Sequence, residues 1–145
     1  MLVQEHYESM RIEKSDSGVT VVTLNRPERL NAVNGVMHRE LSTFSRDADS
    51  DLDTRVVVLA GEGRAFCAGG DVKGMGGKLE KTMSAEKRIA DLQQRQRALT
   101  GVLATLPQPT IAALPGPAVG AGLAIALACD IRIAATSAFV STGYR

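Results

Sequence analysis

The chain has 145 residues, enough for one domain with a hydrophobic core and too few for two. Its 17 basic and 16 acidic residues leave a net charge of +1, which excludes a global field that would attract nucleic acid or an anionic membrane. Aromatic residues make up 3% and tryptophan is absent, so Val, Leu, Ile and Ala must build the core, and no stacking platform for bases lies among the basic residues.

The first predicted elements form a β-hairpin. Polar and apolar residues alternate over Met10–Lys14, which is typical of a half-exposed strand, and residues 15–18 have the composition of a turn. The apolar run Val19–Leu24 predicts a second strand, antiparallel to the first. Pro27 cannot donate to a ladder, so it ends this region.

A helix and a third strand follow. Asn34 is suited to cap a helix that runs to about Ala48, along which apolar residues recur at three- and four-residue spacing. The apolar run at 56–60, which begins with three β-branched valines, predicts a strand buried on both faces. Because the order is strand, strand, helix, strand, we expect an α/β fold with crossover helices.

The middle of the chain predicts a mobile loop and a long helix. Residues 74–78 are too rich in glycine for a stable helix. A helix is predicted from Ser84 to Leu106, ended by Pro107 and Pro109, with its apolar residues on one face. These apolar residues are Ile89, Leu92, Leu99, Leu103 and Leu106.

Two segments share a strand–turn–helix layout with small residues at the bend. The first is the strand at 56–60 followed by residues 64–71, Arg-Ala-Phe-Cys-Ala-Gly-Gly-Asp. The second is the strand Thr110–Leu114, the turn at 115–117, and Gly120-Ala121-Gly122 opening an apolar helix through Cys129, with a further strand over 130–135. Each bend alone is consistent with tight turning, but as a pair they are suited to aim two backbone N–H groups at one oxygen.

Other chemistry-bearing residues favour structural roles. Asp71 is suited to cap a helix start, and Asp130 to cap a helix end or fix the next strand. His6 and His38 lie in settings typical of surface residues, so we expect no catalytic triad, and no cluster has the spacing of a metal site. Neither a dinucleotide fingerprint nor a P-loop is complete.

The cysteines and the chain start indicate the compartment. Cys67 and Cys129 each lie among small apolar residues, which favours buried free thiols, with a metal pair or a disulfide as the minor alternative. Nothing resembles a signal peptide, and no segment reaches about 18 uninterrupted apolar residues. We therefore expect a soluble cytoplasmic protein without nucleic-acid or membrane partners.

Three blocks of sequence resemble the enoyl-CoA hydratase/isomerase (crotonase) superfamily. They are residues 24–32 (Leu-Asn-Arg-Pro-Glu-Arg-Leu-Asn-Ala), residues 64–71, and residues 109–135 with their Ala-Cys-Asp-Ile-Arg-Ile-Ala-Ala ending. In this order and spacing they cover nearly the whole chain. The resemblance implies a crotonase spiral of repeated ββα units, in which residues 1–145 form an acyl-CoA-binding core that is incomplete at its C-terminus and lacks the C-terminal helical part.

The resemblance also implies a substrate site in an enzyme of fatty acid metabolism. The oxygen of an acyl-coenzyme A thioester would be held by the backbone N–H groups of Gly70 and Ala121. Contacts to the coenzyme would fall around Ala68, Asp71, Val72 and Lys73, and Arg29 would approach its phosphates. The family implies a homotrimer or hexamer, and no metal or cofactor beyond the coenzyme A of the substrate.

One departure from the family is prominent. Family hydratases use two glutamates, and the first would fall at Ala124, which cannot transfer a proton. The second belongs a little beyond Phe139, and residues 140–145 hold no carboxylate. Hydration by two glutamates is therefore not expected from this chain.

Two hypotheses of different classes remain open. The first is an enzyme that stabilises a thioester enolate, as a hydratase or another lyase, an isomerase, a decarboxylase or a thioester hydrolase, with its acid/base group elsewhere. The second is a catalytically silent acyl-CoA-binding or assembly protein that keeps the bends and lacks the glutamates. In either case an incomplete core would expose apolar surface, from which we expect strong self-association or poor stability of the chain alone.

Overall fold

The computed structural model describes residues 2–71 and 82–143. The predicted loop at 74–78 lies outside the described residues. The strands are β1 (Met10–Lys14), β2 (Val19–Leu24), β3 (Val56–Gly61), β4 (Thr110–Leu114), β5 (Ala118–Val119), β6 (Ile131–Ala134) and β7 (Val140–Ser141). The α-helices are α1 (Gly35–Asp49), α2 (Ala85–Gln96), α3 (Val102–Ala104) and α4 (Ala121–Ala128).

Five strands form one mixed sheet in the order β1-β2-β3-β4-β6. The predicted hairpin is confirmed, because β1 and β2 pair antiparallel with Met10 opposite Leu24. All other neighbours in this sheet pair in parallel, so each connection between them crosses over. The α/β prediction is therefore confirmed. A separate pair, β5 with β7, is also parallel.

The burial of β3 differs from the prediction. Val57 and Leu59 are fully buried, whereas Val56, Val58 and Ala60 are half-buried. The strand is central in the sheet, between β2 and β4, and its two fully buried side chains lie on one face. An apolar run rich in valine predicts the strand, but it does not predict how fully the face formed by Val56, Val58 and Ala60 is covered.

Helix α1 closes the buried face as its apolar spacing predicts. The Asn34 side chain accepts a hydrogen bond from the Met37 N–H at 2.9 Å, which confirms the cap. Met37, Leu41, Phe44 and Ala48 of this helix are fully buried in the same core cluster as Val57 and Leu59.

The predicted single helix over 84–106 is divided into three parts. Helix α2, capped by Ser84, ends at Gln96, a π-helical turn occupies Arg97–Gly101, and α3 completes the run. Leu99 and Leu103 are buried, but Ile89 and Leu92 are 57% and 56% exposed. Helical spacing places apolar residues on one face, but it does not determine whether that face meets a partner.

The second strand–turn–helix unit follows the prediction closely. Helix α4 ends at Ala128 with Cys129 as its C-cap, and β6 follows at the edge of the sheet with all four residues exposed. The Asp130 carboxylate accepts hydrogen bonds from the Thr110 N–H at 2.8 Å and hydroxyl at 2.9 Å. These bonds join the start of β6 to the start of β4, which confirms that Asp130 fixes the next strand.

The other predictions about single residues have clear outcomes. Cys67 and Cys129 are buried free thiols, as expected. His6 is exposed, and the His38 Nε2 lies 3.0 Å from the Arg95 carbonyl oxygen. Among the described residues, no helix is long and apolar enough to cross a membrane.

Candidate functional site

The first bend, residues 67–71, runs beside the turn that precedes α1. The Ala68 N–H donates to the Leu30 carbonyl at 2.9 Å. The Val33 N–H donates to the Gly69 carbonyl at 2.8 Å, and the Asp71 N–H donates to the Val33 carbonyl at 2.9 Å. Gly70 therefore lies between two hydrogen bonds to one residue, in an isolated parallel bridge with Val33.

Gly69 is required by both conformation and space. Its φ of +110° lies in the region that L side chains rarely adopt. A Cβ at this position would also lie 3.1 Å from the Val119 carbonyl oxygen. The absence of a side chain thus lets the first bend approach the main chain of the second.

The second bend, residues 118–122, turns β5 into α4. Gly120 has a φ of +53° and donates its N–H to the Ser141 carbonyl at 2.9 Å. Its own carbonyl accepts from the Ala124 N–H at 3.0 Å, in the first turn of the helix. Ala121 is the first residue of α4, where a backbone N–H has no acceptor within its helix.

The two bends are in direct contact. The Val119 N–H donates to the Cys67 carbonyl at 3.0 Å, and Cys67 bridges Ala118 in parallel. A Cβ on Gly69 would lie 3.9 Å from the Ala121 nitrogen, and one on Gly122 would lie 2.2 Å from the Cys67 carbonyl oxygen. The pairing of the two bends predicted from the sequence is therefore present in the structure.

Peptide geometry gives the directions of the two N–H groups. No peptide bond among the described residues is cis, and in a trans peptide the N–H points opposite to the carbonyl. Because the Gly69 carbonyl faces Val33, the Gly70 N–H points away from Val33. Because the Gly120 carbonyl faces along α4, the Ala121 N–H points out of the N-terminus of that helix.

The two N–H groups have the same hydrogen-bonding state within the described residues. Within residues 2–71 and 82–143, neither the Gly70 N–H nor the Ala121 N–H donates to a protein acceptor. Gly70 is exposed and Ala121 is half-buried. Free N–H groups at a helix N-terminus and beside a glycine bend form a favourable environment for negative charge.

A polar cluster lies beside the first bend. The Asp71 carboxylate is 3.2 Å from the Arg26 guanidinium and 3.5 Å from that of Arg29. Arg29, expected at the phosphates of a coenzyme, is thus close to Asp71, and its side chain remains 34% exposed. The helix start predicted to follow Asp71 lies outside the described residues, as do Val72 and Lys73.

Asn31 connects this cluster to the segment that leads into the bend. It is fully buried with a φ of +55°, and its side chain accepts from the Arg26 N–H at 2.8 Å. Its amide also donates to the Glu62 and Ala65 carbonyls at 2.9 and 3.0 Å. In the sequence, the feature that could have indicated a buried hydrogen-bonding residue is the position of polar Asn31 between apolar Leu30 and Ala32.

The position at which the resemblance places the first family glutamate carries no proton-transfer group. Ala124 lies in the first turn of α4, where its half-buried methyl group cannot carry a proton. Burial raises the pKa of the Cys67 thiol, which lies in the first bend, to about 11. The thiol is therefore protonated at neutral pH and is a poor nucleophile. No group of metal-ligating side chains exists among the described residues.

Of the predicted site residues, Ala68, Gly70 and Asp71 lie on one bend, Arg29 lies beside it against Asp71, and Ala121 lies on the adjoining bend. The sequence patterns predict no site role for Arg26, Asn31 and Val33. Each of these three residues forms a hydrogen bond with a residue more than 30 positions further along the chain.

Comparison with known proteins gives the family. A family model described as enoyl-CoA hydratase/isomerase matches residues 14–143. The 1,2-epoxyphenylacetyl-CoA isomerase of Escherichia coli is 41% identical over 123 residues, covering 85% of this chain and 46% of the relative. Human mitochondrial enoyl-CoA hydratase domain-containing protein 2 is 40% identical over 124 residues, covering 85% and 40%. The chain belongs to the enoyl-CoA hydratase/isomerase family.

Solved structures give the same answer for the fold. The crystal structure of an enoyl-CoA hydratase from Bacillus anthracis has a TM-score of 0.79 at 33% identity, over 92% of this chain and 50% of the other. The predicted crotonase fold is confirmed. The chain spans about half the length of the relatives it matches.

Proposed function

We propose that this chain forms the oxyanion site of an acyl-CoA enzyme, in which the N–H groups of Gly70 and Ala121 hold the thioester carbonyl oxygen. The observation that carries the proposal is a pair of N–H donors, on two bends in direct contact, that have no protein acceptor among the described residues. The proposed chemistry is stabilisation of the enolate that forms when the α-carbon loses a proton.

Two N–H donors of this kind can stabilise the transition state substantially. Negative charge gathers on the thioester oxygen in the transition state, and one preorganised donor of this kind is typically worth about 3–4 kcal/mol. Both donors belong to main chain fixed by hydrogen bonds of 2.8 to 3.0 Å. They therefore require little reorganisation when the charge develops.

The family includes more than one reaction, and the sequence favours some of them over others. Relatives of this chain include proteins named as a hydratase and as an isomerase. Ala124 opposes hydration by a glutamate pair within this chain. A general base supplied from elsewhere, acting in isomerisation or another enolate reaction, is the form of the proposal that fits the sequence best.

The test removes one donor without disturbing the helix. Ala121→Pro deletes an N–H that lies at the first position of α4, where proline is well tolerated. We expect turnover of crotonyl-CoA or a 3-enoyl-CoA to fall about 10²- to 10³-fold. Product is followed by mass spectrometry and acyl-CoA binding by calorimetry.

The matched control is Ala85→Pro, the same substitution at the first position of α2. This position is exposed and belongs to neither bend, so turnover is expected to stay within about twofold of the wild type. Equal turnover of Ala121→Pro and the control would contradict the oxyanion role.

A second candidate function is a silent acyl-CoA-binding or assembly protein. Ala124 favours it, because the bends are kept while the proton-transfer group is not. Calorimetric binding of crotonyl-CoA, without product from crotonyl-CoA or a 3-enoyl-CoA, would support this candidate. The homotrimer or hexamer and the cytoplasmic location stay predictions.

A further inference from the structure

Arg26 contacts both sides of the Val33–Gly70 bridge. One guanidinium nitrogen, Nη1, donates to the carbonyl of Ala32, the residue before Val33. The other, Nη2, donates to the carboxylate of Asp71, the residue after Gly70, at 3.2 Å. A single side chain therefore spans the two segments at the point where they pair.

The Val33–Gly70 bridge determines the direction of the Gly70 N–H, one of the two proposed donors. The Val33 N–H binds the Gly69 carbonyl at 2.8 Å, and this carbonyl belongs to the same peptide group as the Gly70 N–H. Rotating the peptide away from Val33 would rotate the donor with it. Among the described residues, the two segments pair through one isolated bridge and one further hydrogen bond, from the Ala68 N–H to the Leu30 carbonyl, so few main-chain bonds hold them together.

The chemistry of Arg26 suits a clamp. Its side chain is 17% exposed and that of Asp71 is 12% exposed, so the pair is shielded more than an ordinary surface ion pair. The planar guanidinium presents several donors in a fixed fork, which lets it bind two acceptors at a defined separation. Lysine carries the same charge without that geometry.

We propose that Arg26 is a positioning residue, which fixes the orientation of the Gly70 N–H by clamping Ala32 to Asp71. This inference rests on the proposed function and deepens it, because it assigns the geometry of one donor to a residue outside the bend. Arg26 acts through Asp71 and Val33 and does not itself touch the thioester.

The first arm of the test needs no substrate. Amide hydrogen exchange, followed by NMR, is compared between the wild type and Arg26→Gln. We expect protection of the Val33 and Asp71 amides to fall about tenfold or more, because the clamp that holds their hydrogen bonds is lost. Protection of the Val57 amide, which donates to Pro109 in the sheet at 3.0 Å, is expected to stay within about twofold.

Two further variants and one control complete this arm. Arg26→Lys keeps the charge and is expected to give intermediate protection of the Val33 and Asp71 amides. Asp71→Asn keeps the side-chain size and tests the clamp should Arg26→Gln fail to fold. Arg95→Gln removes an exposed arginine that pairs with Asp91 at 2.8 Å and is expected to change none of these amides. Unchanged protection at Val33 and Asp71, or an equal loss at Val57, would overturn the inference.

The second arm of the test measures hydrogen bonding from the N–H donors to the thioester carbonyl. Crotonyl-CoA labelled with ¹³C at the thioester carbonyl is bound, and the carbonyl stretching frequency is measured by difference infrared spectroscopy. We expect the wild type to lower this frequency and Arg26→Gln to lower it by about half as much, since one of two donors is misdirected. Turnover, where present, is expected to lose about tenfold in kcat with KM nearly unchanged.

The two arms separate the inference from the proposed function. An unshifted carbonyl in the wild-type complex would contradict the proposed function, whatever the exchange data show. A wild-type shift that Arg26→Gln leaves at full size would overturn the positioning role of Arg26 alone.

Discussion

The two bends present the same kind of main-chain donor, but they are held in different ways. The first is held by main-chain bonds to Leu30 and Val33 and also by side chains from elsewhere in the chain, with Arg26 bound to Asp71 and Asn31 bound to Ala65. The second depends on main chain, through the bonds of Gly120 to Ser141 and Ala124 and the close approach of Gly122 to Cys67. We therefore expect loss of polar side chains to affect the first bend more than the second, whereas added volume is opposed where the two bends meet.

The largest expected effect is Gly122→Ala. The new methyl group would lie 2.2 Å from the Cys67 carbonyl oxygen and 2.7 Å from the Cys67 Cβ. Main chain of the first bend cannot move aside as a flexible side chain would, so we expect the free energy of unfolding to fall by about 4 kcal/mol or more. Urea denaturation followed by circular dichroism measures this loss.

The control for added volume is Gly101→Ala, in the π-helical turn. A Cβ there would lie 3.9 Å from the Arg97 Cβ, an ordinary contact, and alanine favours helix. We expect stability to be unchanged or to rise by up to about 1 kcal/mol. A similar loss in both variants would show that the approach of the two bends is not the cause.

Asn31→Ala tests the polar support of the first bend. It leaves the buried Ala65 carbonyl, the Glu62 carbonyl and the Arg26 N–H without their side-chain partner. Because each unsatisfied group costs about 1–3 kcal/mol and some regain water, we expect a loss of about 3 kcal/mol in the same denaturation experiment. Asn25→Ala, at an exposed position, should remain within about 0.5 kcal/mol of the wild type.

The smallest expected effect concerns Asp130, which ties the end of the second unit to β4. Hydrogen bonds from the Thr110 backbone and hydroxyl lower the pKa of its carboxyl below the usual value. Its stabilising contribution is therefore present above the unfolded pKa and is lost as the pH falls through the lower folded pKa. We expect the stability difference between wild type and Asp130→Asn to be constant above about pH 5 and to shrink below about pH 4.

Thermal denaturation across that pH range measures the difference. Thr110→Val keeps the backbone donor and removes the hydroxyl, so it should weaken the acid dependence without abolishing it. A difference that does not change with pH would contradict the role of the Asp130 charge.

Much of the fold was predictable because local patterns carry it. Alternation and β-branched runs predicted β1, β2, β3 and β4, and Asn34 with its apolar stripe predicted α1 within one residue of its end. The paired glycine bends were also visible, since glycine between apolar segments is typical of a sharp turn. The resemblance added the family, which the comparisons confirm.

What could not be predicted depends on contacts between distant segments. Spacing placed Ile89 and Leu92 on the same stripe as Leu99 and Leu103, but whether each residue is covered depends on neighbours that spacing does not describe. The pairing of Arg26 with Asp71 joins residues 45 apart in the chain. A single sequence contains no signal for such a contact beyond the presence of opposite charges.

Because both candidate donors belong to the main chain, the identity of the side chain at either position has little bearing on whether the donor exists. Alanine scanning through residues 67–71 and 118–122 would retain both N–H groups and would report packing and backbone strain instead. Proline alone among the natural residues removes a backbone N–H. Natural sequences can therefore vary at positions 70 and 121 while the hydrogen-bonding function persists, provided that the residues fixing each peptide plane are kept.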